Sequence, residues 1–113
     1  MTGPAESAIV TVYAVFGSGE EAERIGRHLV EERLAACVNI LGPCRSIYRW
    51  EGRIEEADEV AALFKTRAGQ ADALIARLAE LHSYEVPAAV VWTIANALPA
   101  YAGWVTSETT KVI

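Results

Sequence analysis

The chain has 113 residues and a formal net charge of −5, enough length for one domain with a single core. Its ten basic residues are scattered rather than gathered into the stripe that nucleic-acid binding requires, so nucleic-acid partners are not expected. No apolar run approaches the roughly twenty residues that span a bilayer, and Met1 to Ser7 lacks the basic and apolar regions of a signal peptide; a cytoplasmic protein without membrane contact is expected.

Residues 1–7 read as a short, flexible N-terminus, and 8–113 as one domain. Ala8 to Phe16 follows as a strand with apolar residues on both faces, the pattern of a central strand covered on both sides. Gly17-Ser18-Gly19 breaks it. Ser18 with Glu21 three residues on has the spacing of a capping box, and the helix that follows is expected to run to about Leu34. Its buried residues should be Ala22, Ile25, Leu29 and Leu34. A second strand, Ala36 to Leu41, meets Gly42-Pro43, where the missing proline donor predicts a bulge or bend.

Cys44 to Thr66 then reads as one long β-hairpin turning at Glu51-Gly52. Tyr48 and Trp50 share a face of its first arm; Val60, Ala62 and Phe64 share a face of the second. Gly69 to Leu81 predicts a second helix, burying Ala71, Leu74, Ile75, Leu78 and Leu81. His82 to Pro87 is an extended connector, Ala88 to Ala95 a last strand, and Pro99 opens a short C-terminal helix carrying Tyr101, Trp104 and Val105. The order βαββαβ plus a terminal helix is that of a ferredoxin-like α+β sandwich, two helices on one face of an antiparallel sheet. Three strands apolar on both faces, and a hairpin too long for its domain, leave apolar surface for another chain to cover. A second copy of this chain in closed symmetry is the simplest cover.

Motifs that carry chemistry are sparse. Gly17-x-Gly19-x-x-Ala22 imitates a dinucleotide fingerprint, but Glu20, Glu21 and Glu23 would repel a pyrophosphate, and no second βαβ half follows. No nucleophile elbow places Cys37, Ser46 or Ser83 beside His82, so no catalytic residue and no enzyme activity is expected. Cys37 reads as an inert core thiol, and Cys37 and Cys44, seven residues apart, as free thiols. No Cys or His pair has zinc-site spacing. Glu55, Glu56, Asp58 and Glu59 form an acidic cluster beyond the hairpin turn, suited at most to weak cation binding. His82 is the imidazole placed in a connector, with Glu85 near it as ligand or orienting group.

The chain resembles the CutA divalent-cation-tolerance family over about residues 8 to 107. The carrying stretches are Ala35-Ala36-Cys37-Val38-Asn39-Ile40, Ser46-x-Tyr48-x-Trp50-Glu51-Gly52-x-Ile54-x-Glu56, Glu59-Val60 with Lys65-Thr66, and His82-x-Tyr84-Glu85-Val86-Pro87. The resemblance implies a homotrimer similar to the PII nitrogen-regulatory proteins, with the hairpins extending the sheet into neighbouring subunits. It implies binding of a divalent metal, copper foremost, in homeostasis or signalling, with no organic cofactor. It also implies a ligand cleft between subunits gathering Tyr48, Trp50, Glu59, Lys65, His82 and Tyr84. Metal ligands are expected among His82, Glu85 and Cys37. The rival expectation is a PII-like adaptor holding a small anionic ligand, with Lys65 as counter-charge. The chain departs from the family pattern at Ser83, usually proline, and at Ala88, often glutamate.

Overall fold

β1 (Ile9–Phe16) runs through the middle of the sheet and sends alternate side chains to its two faces. The computed structural model describes residues 8–110; the N-terminal stretch expected to be flexible lies outside them. After β1 come α1 (Gly19–Glu31), β2 (Cys37–Trp50), β3 (Arg53–Arg67), α2 (Ala71–Leu81), β4 (Ala89–Thr93) and α3 (Pro99–Glu108), with a 3-10 turn at Ala68–Gln70. The sheet order is β2-β3-β1-β4, and every paired neighbour is antiparallel. This is the ferredoxin-like sandwich that the order of elements predicts.

One face of the sheet meets α1 and α2. Val12, Ala14 and Phe16 of β1 and Ala62 and Phe64 of β3 close against Ala22, Ile25 and Leu29 of α1 and Leu74 and Leu78 of α2, all fully buried. Burying side chains such as Phe16, Phe64 or Leu78 stabilises by roughly 1.5–3 kcal/mol each. α1 begins where Ser18 Oγ accepts from Glu21 N–H at 3.1 Å, while the Glu21 carboxylate accepts from Gly17 N–H at 3.3 Å. The reciprocal bond of the predicted capping box thus goes one residue upstream of the cap. α1 ends at Glu31 rather than Leu34, because Arg33 takes a left-handed conformation (φ 60°) and turns the chain. Leu34 nevertheless packs on the core, its N–H donating to Leu29 O at 3.0 Å.

The predicted break at Gly42-Pro43 is a bulge inside one continuous strand. The register with β3 shifts between Ile40 and Gly42, Gly42 takes φ 99°, and pairing resumes at Gly42 opposite Ala61. Pro43 is tolerated because β2 is an edge strand. The hairpin therefore spans Cys37 to Arg67, longer than its sequence signal. Glu51 and Gly52, both at positive φ, make its two-residue turn. β4 stops at Thr93, short of the expected Ala95.

The other face carries Thr11, Tyr13 and Val15 of β1, opposite Lys65, Leu63 and Ala61 of β3 and Trp92 and Val90 of β4. α3 covers one end of it, packing Val105 against Ile9 and Ala36. Elsewhere this face is open: Trp92 stacks on Tyr13 with ring centroids 5.0 Å apart, yet stays 50 % exposed, and Val90 48 %.

One buried group on the helix side is unpaired. Thr66 is fully buried, and its hydroxyl has no hydrogen-bond partner among the described residues. An unpaired buried hydroxyl costs roughly 1–3 kcal/mol, and valine matches threonine in shape. Thr66→Val is expected to raise the urea midpoint, by about 1 kcal/mol of stability; an unchanged or lower midpoint would mean the hydroxyl is satisfied.

Candidate functional site

The bulge at Leu41 resets the phase of β2, so Cys44, Ser46, Tyr48 and Trp50 come out on the same face as Glu59 of β3. The 83–86 loop closes over this patch from the other side. Together they bound an open cavity of about 870 Å³, with Tyr48, Trp50, Glu59, Tyr84, Glu85 and Arg45 on its walls and Tyr13 and Val15 at its floor.

The loop is held by three polar anchors. His82 is buried beneath it, its ring stacked on Phe16 (5.1 Å) and tilted against Tyr84 (4.7 Å). Nε2 lies 2.8 Å from the carbonyl of Val15, which can only accept, so Nε2 carries the proton. Nδ1 then accepts from Tyr84 N–H at 3.0 Å. The second anchor is Glu21, whose Oε2 accepts from Ser83 N–H at 2.9 Å. A proline at this position, which the family pattern implies, could not make that bond. The third is the Tyr84 phenol, which donates to Glu59 Oε2 at 2.8 Å. Burial and the neighbouring Glu59 carboxylate push the Tyr84 phenol up to about 12, so it remains a neutral donor.

Burial raises the Glu21 carboxyl, but the hydrogen bonds from Ser83 and Gly17 outweigh it and hold the group below 4.5. A carboxyl depressed in the folded state adds stability above its unfolded value, and that stability is lost as pH falls through the folded value. The stability gap between wild type and Glu21→Gln is therefore expected to shrink from about pH 7 to about pH 3.5. Urea titrations at both pH values check this; a gap that widens in acid would reverse the assignment.

The residues expected in the cleft do not all converge within the single chain. Tyr48, Trp50, Glu59 and Tyr84 line the cavity. His82 supports it from below, and both ring nitrogens are engaged; it is not the reorientable imidazole expected of a connector residue. Lys65 stands six residues along β3 from Glu59, opposite Cys37 and Thr11, about 20 Å away along the strand. The expected metal ligands are likewise apart: Glu85 is an exposed wall of the cavity, and His82 is buried. Cys37 sits under α3, with Sγ 3.5 Å from the Tyr101 hydroxyl. It packs on the α3 side of the sheet, not in the main core, and both cysteines are free. Burial and this contact raise the Tyr101 phenol to about 12. Among the described residues no group of three or more His, Cys, Asp and Glu is placed to hold a metal ion. Sequence reasoning missed Arg45 as a wall and Glu21 as an anchor; Glu21 carried a signal only as part of the capping box.

A ferredoxin-like sandwich with an overlong hairpin, and a cavity against the half of that hairpin nearer its turn, places the molecule among the small ferredoxin-like α+β proteins. The family model described as CutA1 divalent ion tolerance protein matches residues 10–108, and the chain belongs to that family. The divalent-cation tolerance protein CutA of Pyrococcus horikoshii is 41% identical over 103 residues, covering 91% of this chain and all of that protein. The crystal structure of CutA from Xylella fastidiosa superposes with a TM-score of 0.87 at 39% identity, covering 90% of this chain and 98% of that one. The structure described as the periplasmic divalent cation tolerance protein CutA from Archaeoglobus fulgidus does so at 0.87 and 36%, covering 90% and 99%. Among the described residues no helix is long and apolar enough to cross a membrane.

Proposed function

We propose that the chain acts as a cytoplasmic homotrimer in divalent-cation tolerance, a binding protein rather than an enzyme, with the cavity beside Tyr48, Trp50, Glu59 and Tyr84 as its ligand cleft. The observation that carries this reading is the open sheet face, where Trp92 and Val90 stand half-exposed and Tyr13, stacked on Trp92, also lines the cavity. An apolar face of that kind is stable in water when copies of the chain cover it, and covering it encloses the cavity.

Copper, or another divalent cation, is the metal this reading assigns. Its donors are shared between subunits, with Glu85 and Cys37 as this chain's contributions, since one subunit brings too few together. The alternative, a PII-like adaptor for a small anion, draws on the same cavity, but Lys65 is not among its walls.

Light scattering on the full chain is expected to return three times the 12.2 kDa chain mass at micromolar concentration. A monomer mass would sink the assembly. Calorimetric titration with Cu(II) is expected to show weak binding by the assembled protein and none by a dissociated variant; equal binding by both would refute donors shared between subunits.

A further inference from the structure

We infer that the cavity takes a small organic cation, a primary ammonium on an apolar body, with Glu59 as its counter-charge and Tyr48, Trp50 and Tyr84 as its walls. This rests on the reading of the cavity as the ligand cleft and adds the class of ligand.

The charges facing the cavity decide the sign. Its one basic wall, Arg45, is already engaged, 3.0 Å from Asp58 and 3.6 Å from Glu56. The acidic walls are Glu85 at the exposed rim and Glu59 inside. Glu59 is only 7 % exposed, and one of its oxygens accepts the Tyr84 phenol. The other accepts no hydrogen bond among the described residues and is not shut off from solvent, so it is open to a donor that enters the cavity. An N–H donor carrying positive charge would meet that oxygen with a short charge-assisted bond.

The walls decide what carries the charge. Tyrosine and tryptophan faces attract cations and also accept apolar carbon, whereas no group of three or more His, Cys, Asp and Glu among the described residues is placed to hold a divalent ion within one chain. A volume of about 870 Å³ suits a molecule with an apolar body rather than a bare ion. A carboxylate ligand would face Glu59 and Glu85 without a free cation among the walls that one chain supplies.

The test is calorimetric titration of the full-length protein with three probes of one shape: 2-phenylethylammonium, 2-phenylethanol and 3-phenylpropionate. The ammonium is expected to bind at least tenfold more tightly than the alcohol, and the carboxylate most weakly. Glu59→Gln, which keeps an acceptor for Tyr84, is expected to weaken the ammonium tenfold or more and leave the alcohol unchanged; Glu59→Asp should retain the charge preference. If Glu59→Gln does not fold, the order of the three probes on wild type still decides. Equal affinity for ammonium and alcohol overturns the inference, as does binding of none of the probes, for example where a neighbouring copy fills the cavity. Tightest binding of the carboxylate also overturns it while leaving the cleft in place, and light scattering tests the assembly separately.

Discussion

Trp92→Glu is expected to convert the assembly to monomers. The indole stands on edge strand β4 and stacks on Tyr13 of the central β1 on the open sheet face, and its neighbour Val90 is equally exposed in the single chain. If copies of the chain cover this face, the substitution removes a large rigid anchor and places an unpaired carboxylate in a dry contact. Breaking buried charge balance costs roughly 3–5 kcal/mol, and about 4 kcal/mol is a thousandfold in association. Light scattering at micromolar concentration should then return the mass of one chain, with melting temperature independent of concentration. Ala73→Glu, on the solvent side of α2, is the control and should leave the mass unaltered. An undiminished assembly in Trp92→Glu would mean that the open face is not the contact surface.

The second large effect is expected at His82. Alanine there removes a buried ring from its stack on Phe16 and leaves the Val15 carbonyl and the Tyr84 N–H without partners. Cavity and unpaired groups together should cost roughly 3 kcal/mol, read as a lower urea midpoint at fixed protein concentration. The 83–86 loop should loosen with it, since Tyr84 then reaches Glu59 from an unanchored backbone. Because both ring nitrogens are engaged in the folded chain, Cu(II) affinity of the folded variant should match wild type. A variant with intact stability and abolished copper binding would show the imidazole to be a metal ligand and this account of it to be mistaken.

His82 also illustrates what a sequence conceals. Its place before Ser83 and two residues ahead of Tyr84 marks an extended connector, and connectors are read as exposed. The residue is buried because the chain crosses the end of β1 there, offering the Val15 carbonyl as an acceptor and Phe16 as a stacking partner. Nothing local to residues 82–87 encodes those neighbours. The same holds for Lys65: it shares a face with Glu59 by parity, but parity says nothing of the distance along a strand as long as β3. Read from the residues alone, Glu59 is one acid in a cluster of four, and only the family resemblance singles it out as a cleft residue. Pairing opposite Cys44 and the arrival of Tyr84 separate it from its solvated neighbours.

Periodicity, breakers and caps in the sequence by themselves determined the order of elements, and with it the ferredoxin-like sandwich. They also located the hairpin turn at Glu51-Gly52, the cap at Ser18, and the main core from Val12 to Leu78, since local preference and apolar spacing act within a few residues. What only the tertiary structure decided was the phase of β2 beyond its bulge, the burial of His82, the separation of Lys65 from the cavity, and the pairing of Tyr84 with Glu59. Each depends on residues far apart in the chain being brought within a few ångströms, and a one-residue slip at Leu41 is enough to move Tyr48 and Trp50 to the opposite face.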